Sequence, residues 1–148
     1  LGAGDVDGVR SATSVMLRWG VALGVVLGVG VLAVRFLLPG LFTSDAGVQS
    51  ALAAALLVVA LGQPLSGLVF VIDGVLIGAD DGRWLAKASI VTYVLYLPLI
   101  LAVHAGGPYA AAEVALTWLW VAFTGFMAIR GVILWLRVRT TRWMVTGV

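Results

Sequence analysis

Four long apolar segments are the feature that most constrains what this chain can fold into. A helix needs about 20 apolar residues to cross a hydrocarbon core about 30 Å thick, and each segment reaches or approaches that length. The segments run from about Val15 to Leu38, Val48 to Gly78, Leu85 to Val103 and Val114 to Leu136. Short connections rich in Gly, Pro and Asp separate them. We therefore predict an all-α polytopic membrane bundle: one membrane domain over residues 1–148, with four antiparallel transmembrane helices.

Composition excludes most soluble and enzymatic classes. Of 148 residues, 62% are hydrophobic and 11% are charged, whereas average soluble domains are about 45–50% apolar and about 25% charged. The chain has no cysteine and a single histidine, His104, so thiolate nucleophiles and multi-histidine metal centres are excluded. We expect no enzyme activity, no catalytic residue, no metal site, no cofactor and no nucleic-acid partner.

The basic residues predict the orientation in the membrane. With four spans, both chain ends lie on one side, and eight of the nine cations lie there as well. These eight are Arg10, Arg18, Arg83, Lys87, Arg130, Arg137, Arg139 and Arg142. Only Arg35 lies on the other side. Because cytoplasmic loops are enriched in Lys and Arg, we predict a multi-pass plasma-membrane protein with both ends in the cytoplasm.

Small residues on the first helix predict a close helix contact. Gly20, Gly24 and Gly28 follow one another at four-residue spacing, so they share one face without side chains. Such faces let a second membrane helix approach closely. No phosphate-binding loop pattern occurs, so we interpret the glycines as a packing surface.

The second helix carries a polar and aromatic stripe. Gln63, Ser66, Phe70 and Asp73 are spaced three, four and three residues apart, which places them on one helical face. Pro64 within this helix lacks an N–H and frees the carbonyl one turn earlier. A bent helix with a polar stripe is typical of a cavity wall that changes shape, and equally of a kinked packing helix.

Two tyrosines form a comparable face on the third helix. Tyr93 and Tyr96 lie one turn apart, near Ser89 and Thr92. Hydrogen bonds between helices explain such a face without any further function, and a polar-lined cavity explains it as well.

Asp73 is the acidic residue that lies well inside a predicted span. By helical rise it lies about 10 Å from Asp80, in the cytoplasmic half of the membrane. Carboxylates within membranes mark ion or substrate paths by default. The alternative is a structural ion pair with Arg83, Lys87 or Arg130, and the shallow depth of Asp73 favours this pairing.

The segment from Gly62 to Arg83, GQPLSGLVFVIDGVLIGADDGR, resembles the tenth helix and following loop of MATE-type (multidrug and toxic compound extrusion) transporters. It is most similar to the DinF-like branch, and the opening residues 1–5 resemble the cytoplasmic loop before helix nine. The resemblance implies helices nine to twelve of a twelve-helix, two-lobe transporter that exports organic compounds against proton or sodium entry. Since sodium-linked relatives carry a helix-ten carboxylate where this chain has Ser66, the resemblance argues against a coupling site there.

From these observations we expect a cation-coupled antiporter, with protons as the expected coupling ion, that exports organic compounds or drugs by alternating access. The residues expected to line its cavity or to take part in coupling are Gln63, Pro64, Ser66, Phe70, Asp73, Tyr93 and Tyr96. We expect the lipid bilayer, an organic small-molecule substrate and the preceding helices of a longer protein as partners, because the chain opens at Leu1 without Met. The alternatives are a non-transporting membrane scaffold and a small four-helix exporter acting as an oligomer.

Overall fold

The computed structural model describes residues 4–106 and 112–144, and its regular structure within those ranges is helical. The elements are α1 (Val6–Val34), a 3₁₀ turn (Pro39–Leu41), α2 (Ala46–Gly78), α3 (Gly82–Gly106) and α4 (Ala112–Val138). All four α-helices are long and apolar enough to cross a membrane. The predicted all-α class with four transmembrane helices is therefore confirmed.

Polar residues at the helix starts set where the helices begin. Asp5 accepts a hydrogen bond of 2.8 Å from the first turn of α1, and Asp45 accepts bonds of 2.8 and 3.1 Å from the first turn of α2. Such caps satisfy backbone N–H groups that have no partner inside the helix. The first helix ends at Val34 rather than at the predicted Leu38. Pro39 cannot donate a backbone hydrogen bond, and a short 3₁₀ turn begins there.

The glycine face of α1 packs directly on the backbone of α2. A methyl group added at Gly24 would lie 2.5 Å from the Gln63 carbonyl oxygen and 2.7 Å from the Pro64 Cα. At Gly28 it would lie 2.6 Å from the carbonyl oxygen of Ala60, the group that Pro64 leaves without its helical donor. The predicted close contact is confirmed, and α2 is continuous through Pro64.

The core lies where α2, α4 and the start of α3 meet. Val69, Ile72 and Leu76 of α2 are fully buried, as is Leu134 of α4. Small residues bring α2 and α4 together as well, since a methyl group at Gly131 would lie 3.2 Å from a Val69 methyl. Helix α3 packs mainly on α4 and makes little contact with α2.

After α4 the chain folds back and inserts Trp143 into this core. The side chain is 2% exposed, and its indole N–H donates a 3.1 Å hydrogen bond to the Val138 carbonyl. In the described part of the chain, the backbones of α1 and α4 do not approach each other closely. Trp143 lines the spaces on both sides of α1 and thereby connects α1 to the end of α4.

Candidate functional site

An ion pair joins three helices in the half of the bundle that contains the α2–α3 connection. The Arg130 Nε and Nη2 groups donate hydrogen bonds of 2.9 and 2.7 Å to the two Asp73 carboxylate oxygens. Arg130 Nη1 donates a third bond, of 3.1 Å, to the Ser89 hydroxyl oxygen. Both charged side chains are less than a fifth exposed, at 17 and 18%. Because Asp73 lies on α2, Ser89 on α3 and Arg130 on α4, this cluster holds the three helices together.

This geometry places Asp73 with one of the three cations named from the sequence. The partner is Arg130, and not Arg83 or Lys87. A bidentate guanidinium–carboxylate pair is a strong, directional form of ion pair, and it leaves no net charge in the apolar layer. The sequence analysis favoured an ion pair for Asp73 because of its shallow depth in the membrane, and the structure contains such a pair.

A second ion pair lies about two turns closer to the end of the bundle. Arg137 donates bonds of 2.7 and 3.0 Å to the Asp81 carboxylate, and its guanidinium lies 5.1 Å from the Trp84 ring centroid. The sequence reasoning missed this pair. A signal was available, because Arg130 and Arg137 are seven residues apart on one face of α4, and Asp73 and Asp81 are eight apart.

The Asp73–Arg130–Ser89 cluster fixes the register between α2 and α3. The two helices are sequential and antiparallel, so counting back from Asp73 and forward from Ser89 moves in the same direction through the membrane. Ser66 precedes Asp73 by seven residues and Tyr96 follows Ser89 by seven, which places both about 10 Å from the cluster. Phe70 and Tyr93 lie between, at about 5–6 Å along their helices. The α2 stripe and the α3 tyrosines are therefore at matching depths.

We call Gln63, Ser66 and Phe70 of α2 and Tyr93 and Tyr96 of α3, which lie at matching depths on their two helices, the open face. Phe70 and Tyr93 are each 63% exposed, although both lie within apolar spans. The Tyr93 and Tyr96 rings pack on Phe126 of α4, with centroids 5.5 and 5.3 Å away. Helix α4 thus supports the two tyrosine rings of the open face.

Polar groups on the open face have no partners within residues 4–106 and 112–144. The Gln63 amide and the hydroxyls of Ser66, Tyr93 and Tyr96 form no hydrogen bond there. Thr92 behaves differently, since it is fully buried and its hydroxyl donates to the Ala88 carbonyl of its own helix. The open face therefore offers donors and acceptors that a ligand or another helix can use.

The structure separates two predicted site residues from the open face. The Pro64 Cα faces Gly24 of α1, on the side of α2 that is packed against another helix. Asp73 lies at the edge of the open face, but Arg130 occupies both of its carboxylate oxygens. Gln63 lies at the boundary, since its backbone contacts α1 as well.

None of three cavities among the described residues, of about 750, 520 and 120 Å³, is lined by a residue of the open face. The cavity of about 750 Å³ lies between α1 and α2 and is lined by none of the seven predicted residues. Within the described ranges, no group of three His, Asp or Glu side chains is arranged to hold a metal ion. A ligand site at the open face needs a second wall from outside the described residues.

Comparison with known proteins identifies the family. The MatE family profile matches residues 1–101, about two thirds of the chain. This chain belongs to the MatE family. Members of the MatE family are transporters and not enzymes, which confirms the family resemblance and the expectation of no enzyme activity. The assignment to the DinF-like branch stays a prediction.

Two plant members of the MatE family are similar over most of this chain. Protein DETOXIFICATION 45, chloroplastic, from Arabidopsis thaliana is 32% identical over 127 residues, which is 85% of this chain and 21% of the relative. Protein DETOXIFICATION 43 from the same species is 28% identical over 128 residues, 86% of this chain and 23% of the relative. The chain thus spans about a fifth of the length of these relatives. No solved structure matches it significantly.

Proposed function

We propose that the protein containing this chain is a cation-coupled antiporter, driven by protons, that exports organic compounds across the plasma membrane by alternating access. In this proposal the chain supplies four helices of the second lobe, and the open face is part of the wall of the transport cavity. Membership of the MatE family supports the transporter class. The chain covers about a fifth of each relative, which supports a longer protein with further helices.

The observation that carries the proposal is the chemistry of the open face. The exposed Phe70 and Tyr93 rings can bind flat organic molecules by stacking, and aromatic faces attract organic cations. The hydroxyls of Ser66 and Tyr96, which have no hydrogen-bond partner among the described residues, add groups that a ligand can use. Ligand sites are typically apolar surfaces with a few placed polar groups, which is the composition of this surface.

The contacts between helices support movement of the chain as one body. Helices α1 and α2 touch backbone to backbone through Gly24 and Gly28. The Asp73–Arg130–Ser89 cluster joins α2, α3 and α4. Alternating access in many transporters is largely a rigid-body rocking of one helix bundle against another, and a bundle connected in this way suits that motion.

The pairing of Asp73 supports a coupling site elsewhere in the protein. A carboxylate that carries protons across the cycle must release its counter-ion, whereas Asp73 is held by two hydrogen bonds from Arg130. Ser66 likewise provides no carboxylate. We therefore propose that the proton-linked carboxylate lies in the first lobe, outside this chain.

Transport assays on the complete protein test the proposal. A pH gradient is imposed across everted membrane vesicles that contain the protein. The accumulation of a fluorescent organic cation inside the vesicles is recorded with the gradient present and after its collapse. We expect gradient-dependent accumulation, reduced about two- to tenfold in Phe70→Ala and in Tyr93→Ala, since each aromatic ring contributes about 0.5–1.5 kcal/mol beyond its buried area. Phe42→Ala is the matched control, because Phe42 is an exposed aromatic in the α1–α2 connection.

Two outcomes contradict the proposal. Absence of transport under both conditions by a well-folded protein favours a membrane scaffold. Transport of the same cation by residues 1–148 expressed alone favours a small exporter complete in itself.

A further inference from the structure

The two parts of the open face are connected through α4 rather than through direct contact. One part lies on α2, and the other, formed by Tyr93 and Tyr96, lies on α3. Helices α2 and α3 make little contact with each other, whereas each of them packs more extensively on α4. The placement of the two tyrosines relative to Ser66 and Phe70 therefore depends on how α3 is packed against α4.

One side chain of α4 contacts both tyrosine rings. The Phe126 ring centroid lies 5.5 Å from that of Tyr93, with the ring planes at 41°, and 5.3 Å from that of Tyr96, with the planes at 74°. Both distances are within the range in which aromatic rings attract one another, about 4.5–7 Å. Neither tyrosine hydroxyl forms a hydrogen bond within residues 4–106 and 112–144. Among the described residues, ring packing and not hydrogen bonding therefore orients the two rings.

Phe126 is itself anchored in the bundle. It is partly buried and packs on the hydrophobic core, whereas Tyr93 is 63% exposed. Phe126 precedes Arg130 by about one helical turn on α4, and Tyr93 follows Ser89 by about one turn on α3. The 3.1 Å hydrogen bond from Arg130 to Ser89 holds the two helices in the register at which the Phe126 and Tyr93 rings meet. An anchored ring thus supports an exposed one.

We propose that Phe126 is a positioning residue for substrate recognition, which holds the Tyr93 and Tyr96 rings in the orientation that binds flat aromatic substrates. This inference rests on the proposed function, because it takes the open face to be part of the transport cavity. Stacking on a flat molecule requires ring planes that are nearly parallel as well as close, whereas a rounded aliphatic cation requires only an accessible ring face. Phe126 therefore affects the choice between these two kinds of substrate without contacting either.

Transport kinetics of the complete protein test this inference. In everted vesicles with an imposed pH gradient, the KM and the maximal rate are measured for ethidium, a flat aromatic cation, and for tetraethylammonium, an aliphatic one. Phe126→Leu removes the ring but keeps a large apolar side chain. From the strength of aromatic pairs, we expect it to raise the KM for ethidium about two- to tenfold and that for tetraethylammonium by less than about twofold. The maximal rates should stay at their wild-type values.

Two further variants serve as controls. Phe126→Tyr keeps a ring at the same position, so its KM for ethidium should equal that of the wild type. Phe123→Leu makes the same change about one turn earlier on α4, where the ring contacts Trp120 and Phe126 and, within the described ranges, neither tyrosine. Its KM should also equal that of the wild type. Thermal unfolding in detergent verifies that the variants are folded, and Phe126→Met takes the place of Phe126→Leu if the leucine variant is unstable.

The contrary outcomes separate this inference from the proposed function. If Phe126 acts through the tyrosines, Phe126→Leu should have no further effect on a protein that already carries Tyr93→Ala and Tyr96→Ala. An undiminished effect in that background overturns the inference, because Phe126 would then act without the tyrosines. Equal losses for both cations, or wild-type kinetics in Phe126→Leu, overturn it as well. Absence of transport of both cations by the folded wild type overturns the proposed function, and this inference with it.

Discussion

The Asp73 carboxylate and the Arg130 guanidinium face each other across α2 and α4, joined by two hydrogen bonds of 2.7 and 2.9 Å. The two residues are 57 positions apart in the chain, so the pair is a tertiary contact and not a feature of one helix. An acid inside an apolar span is commonly a functional signal, and here it lies in an ion pair that carries no net charge.

The first prediction concerns the loss of either partner. Asp73→Asn or Arg130→Gln in the complete protein should lower the free energy of unfolding by about 3–5 kcal/mol, because the remaining group is left buried without its counterpart. The mutants should express poorly, while the pH dependence of residual transport should match that of the wild type. Thermal unfolding in detergent and vesicle transport measure the two effects.

Ser66→Ala is the control for this pair, since it changes the open face without touching the ion pair, and it should alter substrate preference at most. A stable, well-expressed Asp73→Asn protein with transport insensitive to the imposed gradient would show that Asp73 takes part in coupling.

A second prediction concerns the contact between α1 and α2. Gly24→Ala places a methyl group 2.5 Å from a carbonyl oxygen and 2.7 Å from a Cα of α2, and backbone atoms cannot move aside as a flexible side chain can. The free energy of unfolding should fall by about 1–3 kcal/mol. Gly30→Ala on the same helix has nothing within 4 Å of the added methyl, so it should be neutral or slightly stabilising. Equal thermal stability of the two variants would show that α1 does not pack through its glycine face.

A third prediction concerns Trp143. Trp143→Ala should lower the free energy of unfolding by about 3–5 kcal/mol, because it leaves a large void in the core beside α1. Trp19→Ala is the matched control, since Trp19 is 73% exposed and its loss should change stability little. Comparable thermal denaturation curves for both variants would contradict the role of Trp143 as a buried contact between α1 and the end of α4.

A fourth prediction concerns the second ion pair. Arg137→Lys keeps the positive charge but loses the two parallel hydrogen bonds to Asp81 and much of the contact with the Trp84 ring. We expect a loss of about 1.5–3 kcal/mol in the free energy of unfolding, the range for one hydrogen bond to a charged group. Arg139→Lys, at a residue with no partner within the described ranges, should have no such effect. If lysine at residue 137 preserves full stability, charge alone is sufficient there.

Hydropathy and spacing predicted those features that depend on a single helix. The four spans follow from apolar length, the α1 contact surface follows from glycines at four-residue spacing, and the α2 stripe follows from helical periodicity. Even the set of partners for Asp73 could be narrowed to three cations, because depth in the membrane limits which charges can meet it.

Relations between helices were harder to predict from the sequence. In lipid, the outer surface of a bundle is as apolar as its core, so the hydrophobic pattern does not tell which face of α3 is buried. The packing of α3 on α4, and the exposure of Phe70 and Tyr93 that results, therefore required the structure. Trp143 was missed because it follows the last span in a basic tail, where a tryptophan is usually read as an interface anchor.

The position of Trp143 has a consequence for how the bundle is assembled during synthesis. Helix α1 is made first and can settle against α2 as soon as the glycine face has a partner. Its connection to α4 runs through a residue that lies beyond all four spans in the chain. The ribosome therefore has to translate past Val138 before Trp143 can connect α1 to the end of α4, so this packing step comes after all four spans have been made. A released chain that ended at Val138 would contain all four helices but would lack the side chain that connects α1 to the end of α4.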